Sequence, residues 1–220
     1  MITSKALSRL AATGNADAQF RLAYRSAFGG DKRGRDLKRA LRLWKASAEQ
    51  GHVRAMFYLG TCYDFGRGVR RNIKRAMFWY QLAARAGHEV AQYNLALGYR
   101  DGLGVPRSRR MAVKWLRLSA EAGDADAMND LGYCLHEGLG VRRDRRGAFA
   151  WYLRAARKGV IRAQFNAGLC YREGDGVKAS DRQSRVWLRK AARRGHSQAR
   201  ETLKQTRPND SRTKGGGQSR

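Results

Sequence analysis

The chain has 220 residues, and 42% of them are apolar, which is enough for a packed core and excludes a chain that is disordered throughout. Its 46 Lys and Arg residues against 18 Asp and Glu residues give a net charge of +28. Such a surface attracts nucleic acids, anionic membranes and acidic protein surfaces and repels basic ones.

The start of the chain and its cysteines indicate the compartment. Residues 1–20 lack the apolar stretch of a secretory signal, and no run reaches the ~18 apolar residues of a membrane span. Cys62, Cys134 and Cys170 are an odd number, which argues against a disulfide framework. We therefore expect a reduced, cytoplasmic protein without a membrane span.

A pattern of tryptophan, glycine and valine residues recurs along the chain every 36 residues. Its members are Trp79, Trp115, Trp151 and Trp187; Gly66, Gly102, Gly138 and Gly174; Gly68, Gly104, Gly140 and Gly176; and Val69, Val105, Val141 and Val177. A third glycine series has the same period and consists of Gly51, Gly87, Gly123, Gly159 and Gly195. Such regular spacing is typical of a repeat architecture in which each copy is one structural unit.

Each copy predicts two helices, which we call helix A and helix B. The spacing of Ala55, Leu59 and Tyr63 places one apolar stripe on helix A, and Gly66 follows where a helix end needs a positive φ. Helix B is preceded in every copy by a residue that can cap it, namely Asp36, Asn72, Ser108, Asp144 or Ser180. Helices B are therefore predicted to begin near residues 37, 73, 109, 145 and 181, and the third glycine series ends them.

Five copies are predicted, at residues 16–52, 53–88, 89–124, 125–160 and 161–196, and the first has one extra residue around 30–35. Residues 1–15 are predicted to form an N-terminal capping helix and residues 197–204 a C-terminal one, so that the array extends over 16–204. Pro208 and the surrounding Gly, Ser, Lys and Arg residues predict a disordered basic tail over 205–220.

The consensus of the copies resembles the Sel1-like repeat. The second copy carries it in Ala55, Leu59, Gly60, Tyr63, Gly66, Gly68, Val69, Ala76, Trp79, Ala83, Ala84 and Gly87. The resemblance covers roughly residues 6–203, with modest departures such as Ala96 in place of Gly. It implies an all-α fold, a right-handed α/α solenoid related to tetratricopeptide repeats, and it implies an adaptor or scaffold rather than an enzyme.

No catalytic motif accompanies the copies. The Gly-x-Gly pairs lack the third glycine of a dinucleotide site, and neither a P-loop nor a nucleophile elbow occurs. His52, His88 and His196 share one position at the turn into helix A, and the first two are expected ~10 Å apart, too far to share a metal. We interpret them as polar turn residues, and we predict no catalytic residue, metal, cofactor or small-molecule substrate.

Two other groups of reactive side chains have structural interpretations. Asp126 and Asp130 lie one helical turn apart near His136 and could imitate an acid–base pair, but we interpret them as first-turn carboxylates that favour the helix dipole. The three cysteines share one position beside the core Tyr, where Gly98 also fits, which predicts a packing site for small residues.

The resemblance also implies a binding surface, because helices A line a concave groove in related repeats. Carrying over the groove positions gives Phe20, Tyr24, Arg54, Phe57, Tyr93, Arg100, Asn129, Tyr133, Arg162, Phe165 and Arg172. Aromatic anchors with Arg between them are typical of peptide-binding hot spots. The alternative is that the rings pack between adjacent A helices.

The loops between helices A and B form a second candidate surface. The windows 30–39, 67–75, 103–111, 139–147 and 175–183 carry +14 of the net charge of +28. A solenoid would stack them along one edge, which would hold Arg70, Arg71, Lys74, Arg75, Arg107, Arg109, Arg110, Arg142, Arg143, Arg145 and Arg146. The leading hypothesis is an acidic protein segment bound in the groove and along this edge. Nucleic acid bound through its phosphates is the alternative partner, and a solvated charged face is the alternative without a partner.

Overall fold

The computed structural model describes residues 3–29 and 35–205, and the regular structure of these residues is entirely α-helical. The helices are α1 (Ser4–Ala12), α2 (Ala16–Phe28), α3 (Leu37–Glu49), α4 (Val53–Phe65), α5 (Ile73–Arg85), α6 (Glu89–Asp101), α7 (Arg109–Ala122), α8 (Ala125–Glu137), α9 (Arg145–Arg157), α10 (Ile161–Glu173), α11 (Asp181–Arg193) and α12 (Ser197–Gln205). None of them combines the length and the apolar character that a bilayer span requires. The extra residue of the first copy and the predicted tail from residue 206 onward lie outside the described residues.

The even-numbered helices α2 to α10 are helices A, and the odd-numbered helices α3 to α11 are helices B. All five predicted N-caps of helices B are confirmed. The cap oxygens accept backbone N–H groups at 2.8 Å (Asp36), 3.0 Å (Asn72), 3.2 Å (Ser108), 2.9 Å (Asp144) and 3.3 Å (Ser180). Short polar side chains can cap these helices because they reach backbone amides of the first turn, which have no partner within the helix.

The contacts divide the chain into two compact units, residues 1–143 and residues 144–220. Within each unit, every helix packs against the helices before and after it in the chain. One core cluster of the first unit consists of Phe20, Ala23, Ala27, Ala40, Trp44, Ala48, Ala55, Leu59 and Cys62. In the second unit Leu188, Ala191 and Ala199 form one cluster of the core. The many alanines let neighbouring helices approach closely, and the few large side chains fill the space that remains.

The cysteine position is a packing site, as predicted. Cys62 and Cys170 are buried, Cys134 is half-buried, and all three are free thiols. Burial raises the pKa of the Cys62 and Cys134 thiols to about 11 and that of Cys170 to about 12. The thiols are therefore protonated at neutral pH and are poor nucleophiles.

The second glycine of each loop lies against the copy before it. A Cβ at Gly104 would be 2.7 Å from the carbonyl oxygen of Ile73, the first residue of α5, and the φ of Gly104 is +71°. The same contact joins Gly68 to Leu37, Gly140 to Arg109 and, in the second unit, Gly176 to Arg145. Only glycine permits both the left-handed backbone and this approach. Each loop therefore stacks on the start of the preceding helix B.

Replacing Gly104 by Ala is expected to destabilise the fold more than replacing Gly87 by Ala. Both glycines have a positive φ, +71° and +90°, but nothing lies within 4 Å of a Cβ at Gly87. The backbone conformation alone costs an Ala about 1 kcal/mol, and the added clash at Gly104 brings the expected loss to roughly 3 kcal/mol. Urea denaturation measures both losses, and equal values would show that the loop contact is not tight.

Candidate functional site

Three phenylalanines of the predicted groove stack on the histidines that precede the next even-numbered helix. The ring centroids are 4.6 Å apart for Phe20 and His52, 4.4 Å for Phe57 and His88, and, in the second unit, 4.4 Å for Phe165 and His196. Phe20 is only 5% exposed, so little of its ring is left for a partner. Of the two alternatives for these rings, the structure thus shows packing, here against the residue that precedes the next even-numbered helix.

Each of these histidines is the N-cap of the helix that follows it. The Nδ1 atoms of His52, His88 and His196 accept the backbone N–H groups of Ala55, Ala91 and Ala199 at 3.2, 3.3 and 3.3 Å. A ring nitrogen that accepts a hydrogen bond carries no proton, so the cap requires the neutral imidazole. Burial lowers the pKa of His88 and His196, which favours the same form.

The turn-residue interpretation of the histidines is confirmed, and the structure adds the stack and the cap to it. Both roles had a signal in the sequence, because the groove position is Phe in each of the three copies that precede a His cap. The described residues contain no group of three or more His, Cys, Asp or Glu side chains that could hold a metal ion.

A polar network occupies the groove positions of α6 and α8. The Tyr93 hydroxyl donates to Asp130 Oδ2 at 3.2 Å, and the side-chain amide of the buried Asn129 donates to Asp130 Oδ1 at 3.1 Å. Arg100 lies 3.8 Å from the same carboxylate and makes two 2.9 Å hydrogen bonds to Asp101. These hydrogen bonds from Arg100 lower the pKa of Asp101. Tyr93, Arg100 and Asn129 are thus engaged with carboxylates of the protein itself.

The two carboxylates predicted to favour the helix dipole differ in role. Asp126 lies in the first turn of α8, as predicted. Asp130 lies one turn further on, and the prediction is wrong for it because its carboxylate accepts the hydrogen bond from Tyr93. His136, whose neighbourhood suggested an acid–base pair, has its Nδ1 atom 2.7 Å from Glu137 Oε1.

Three groove residues of the first unit remain accessible. Tyr24 is 41% exposed and Tyr133 is 52% exposed. Tyr24 also packs edge-to-face on Tyr58 at 5.8 Å. The guanidinium of the exposed Arg54 lies 4.8 Å above the Phe20 ring, and Arg54 has no ion pair in the described part of the chain. These side chains offer aromatic surface and one available positive charge.

The remaining predicted groove residues lie in the second unit, on α10. Phe165 is half-buried in its stack, and Arg162 is exposed. Arg172 donates to Glu173 at 2.8 Å, as Arg100 does to Asp101. Two of the four groove arginines are therefore already neutralised by a neighbouring carboxylate. Helices A consequently offer less positive charge than their sequence suggests.

Three arginines of the loops, one per copy, close the ends of helices A. The Nε atoms of Arg71, Arg107 and Arg143 donate to the backbone carbonyls of Asp64, Arg100 and His136 at 2.8, 3.2 and 2.7 Å. These carbonyls lie in the last turn of α4, α6 and α8, where they have no partner within the helix. The sequence did not reveal this capping role, although the shared repeat position was the signal for it. The fifth copy has Ala179 at that position.

Other basic residues stand at the starts of helices B. Lys74 and Arg75 lie in the first turn of α5, and Arg109 and Arg110 lie in that of α7, where no acidic residue accompanies them. Arg70 and Arg142 are exposed in the loops. The first-turn charges are unfavourable there because the amino end of a helix is itself positive.

We call the nine cations of the first unit the basic edge: Arg70, Arg71, Lys74, Arg75, Arg107, Arg109, Arg110, Arg142 and Arg143. The two other predicted members, Arg145 and Arg146, lie in the first turn of α9 in the second unit. Arg145 there is 3.3 Å from Asp175. Arg75 lies 5.6 Å above the Tyr63 ring.

Two exposed apolar residues lie beside the basic edge, and they were not predicted from the sequence to be part of a binding surface. Phe65 is 64% exposed and Leu103 is 53% exposed. The guanidinium of Arg67 lies 5.2 Å above the Phe65 ring. The position of Phe65 is Asp101, Glu137 and Glu173 in the later copies. That contrast was the available signal for an unusual surface residue.

A family model, the Sel1 repeat, matches residues 16–52, 53–88, 90–124, 125–160 and 161–196. The protein belongs to the Sel1 repeat family. Its fold is accordingly an all-α repeat solenoid, which confirms the fold class and the family predicted from the sequence. Sel1 repeat proteins are generally non-catalytic scaffolds for protein–protein interaction.

Two solved structures resemble this Sel1 repeat protein over 92% of its chain. One is a protective antigen of uropathogenic Escherichia coli with an SLR fold, at 36% identity and a TM-score of 0.86. The other is a Sel1 repeat protein from Oxalobacter formigenes, at 29% identity and a TM-score of 0.78. The chain spans 43% of the length of the first and 78% of the second. The comparison with curated proteins gives no match.

Acid is expected to destabilise this Sel1 repeat protein through His88 and His196. Because their pKa values are lowered in the folded chain, the unfolded chain binds protons first. Stability is therefore complete above the ordinary histidine pKa of ~6.5 and is lost as the pH falls from there toward the lowered values. Asn also caps helices but does not titrate. The double variant His88→Asn, His196→Asn should lose less unfolding free energy than the native protein between about pH 7 and pH 5.

Urea denaturation of the variant and of the native protein at about pH 7 and pH 5 measures the loss of unfolding free energy in each. An equal loss in the variant and the native protein would contradict the assignment of these histidines as neutral caps.

Proposed function

We propose that this protein is a non-enzymatic interaction scaffold that binds an extended acidic segment of a partner protein. In the first unit, the segment would contact the groove residues of helices A and the loops of the basic edge. One observation carries the proposal: glycine contacts hold each loop of the first unit against the start of the preceding helix B, where basic residues fill the first turn.

The glycine contacts make the basic edge continuous. Gly104 lies against Ile73, so the loop that holds Arg107 adjoins the first turn with Lys74 and Arg75. In the same way Gly140, against Arg109, brings the loop of Arg142 and Arg143 to the first turn of α7. Like charges on adjoining copies repel one another, and a partner with carboxylates would remove this repulsion.

The first-turn cations also oppose the dipoles of their own helices. A charge of the wrong sign there costs about 0.3–1 kcal/mol, and the turns of α5 and α7 contain no acidic residue that would compensate. Local choices that reduce stability without a gain inside the fold are typical of functional surfaces. A bound carboxylate would stabilise both the cations and the helix ends.

The groove would supply contacts of a different kind. Since Arg100 and Arg172 are paired with Asp101 and Glu173, little of their charge is available for a partner. The accessible rings of Tyr24 and Tyr133 match the aromatic residues that anchor protein interfaces. In this proposal the groove provides aromatic contacts together with Arg54, and the basic edge provides the match to acidic residues.

Nucleic acid is the second candidate partner. Helix amino ends beside arginines, as at Arg109 and Arg110, are typical phosphate sites. Binding of this kind would weaken steeply with salt and would show little sequence preference.

The double substitution Arg109→Glu, Arg110→Glu is expected to weaken binding and at the same time to stabilise the fold. The new carboxylates would repel an acidic segment, and they would favour the dipole of α7 by about 0.3–1 kcal/mol each. Lys114→Glu, Arg117→Glu is the matched control, because it changes the net charge equally at exposed positions further along α7.

Fluorescence anisotropy with labelled polyglutamate at near-physiological salt, together with thermal denaturation, measures both effects. The edge variant should lose about tenfold or more in affinity and melt higher, while the control keeps most of its affinity. Equal losses in the two variants would mean that overall charge, and not the basic edge, attracts the probe.

A further inference from the structure

We infer that Arg71, Arg107 and Arg143 form a row of carboxylate receptors, one per copy, and that the partner segment carries apolar residues between its acidic ones. The inference rests on the proposed function and deepens it by assigning a chemical pattern to the partner.

The three guanidinium groups are oriented by the fold before any partner arrives. Each donates Nε to a carbonyl at the end of its helix A, at 2.8, 3.2 and 2.7 Å. Their terminal NH₂ groups make no other hydrogen bond in the part of the chain that the structure describes. Two parallel N–H groups of a guanidinium match the two oxygens of a carboxylate. Because the side chains are already ordered, binding would lose less conformational entropy than it does at a mobile arginine.

The receptors form a row because their loops repeat in a fixed relation. Gly68, Gly104 and Gly140 make the same close contact with the preceding helix B. Arg71, Arg107 and Arg143 each follow the second glycine of their loop by three residues. Equivalent loops in equivalent contacts place one receptor in each of the second, third and fourth copies. Ala179 occupies this position in the fifth copy, which therefore has no receptor.

The apolar part of the pattern comes from Phe65 and Leu103. Phe65 directly precedes the loop of Arg71, and Leu103 lies within the loop of Arg107. Both side chains are more than half exposed. A sugar–phosphate backbone gives aliphatic surface such as Leu103 little to bury, whereas Leu or Val residues between acidic ones would bury it. The surface therefore favours an acidic segment with interspersed apolar residues over a nucleic acid.

The test replaces the receptors by lysine, which keeps the charge but removes the planar fork. The variant is Arg71→Lys, Arg107→Lys, Arg143→Lys in the full chain. Its control is Arg42→Lys, Arg85→Lys, Arg117→Lys, since these arginines are exposed on helices B outside the groove and the basic edge. The labelled probes are a peptide of Glu with interspersed Leu, the same peptide with Ser for Leu, and an oligothymidylate.

Anisotropy should show that the receptor variant binds the Glu/Leu peptide about tenfold or more weakly, while the control binds it as the native protein does. A second variant, Phe65→Ser, Leu103→Ser, should bind the Glu/Leu peptide no better than the Glu/Ser peptide. Cooperative thermal unfolding of each variant establishes that a lost affinity does not come from a lost fold.

Several results would overturn the inference. If the receptor variant bound the Glu/Leu peptide with native affinity, Arg71, Arg107 and Arg143 would not be carboxylate receptors. The proposed function would still stand if polyglutamate binding depended on Arg109 and Arg110. Equal affinity of the native protein for the Glu/Leu and Glu/Ser peptides would refute the inference that the partner segment carries apolar residues. Tighter binding of the oligothymidylate than of either peptide would replace the inference by phosphate recognition. No binding of any acidic peptide by the native protein would refute the proposed function itself.

Discussion

The contact between a loop glycine and the start of the preceding helix B is the constraint on which the rest of this structure depends. Gly104 and Ile73 show it clearly, because a single added Cβ would lie 2.7 Å from a carbonyl oxygen. The contact recurs at Gly68 and Gly140, so consecutive loops of the first unit cannot separate without losing their packing. It thereby places the cations of one copy beside those of the next, which is electrostatically unfavourable in the absence of a partner.

The two candidate surfaces differ in how far their side chains are paired within the protein. On helices A, Phe20 and Phe57 are used in stacks with capping histidines, and Arg100 is held by Asp101 and Asp130. Most of the aromatic and charged groups on helices A are thus paired within the protein. On the basic edge, arginines that close helices A direct further donors outward, and cations stand where helix dipoles disfavour them. A surface that is left unsatisfied in this way gains most from an anionic partner.

Local chemistry explains what the sequence could predict. The caps at Asp36 and Ser108 and the positive φ of Gly66 depend on one residue and its immediate neighbours, so each could be assigned from a single position. The Phe57–His88 stack joins the two ends of one copy, and the Asp130 network joins residues of different copies. No property of one residue indicates either contact. The hydrogen bonds from the loop arginines to the backbone carbonyls of helices A were also not predicted. A charged side chain in a loop is usually solvated, so its residue type does not indicate such a bond.

The proposed recognition of an acidic protein by the basic edge can be tested in one experiment. Affinity capture from source cells at near-physiological salt, with and without nuclease and with the Arg109→Glu, Arg110→Glu variant in parallel, tests it most directly. Acidic proteins are expected to stay bound to the native protein after nuclease treatment and to be absent from the variant. If the captured proteins disappear when nucleic acid is digested, the basic edge binds phosphates, and the account of an acidic protein partner is contradicted.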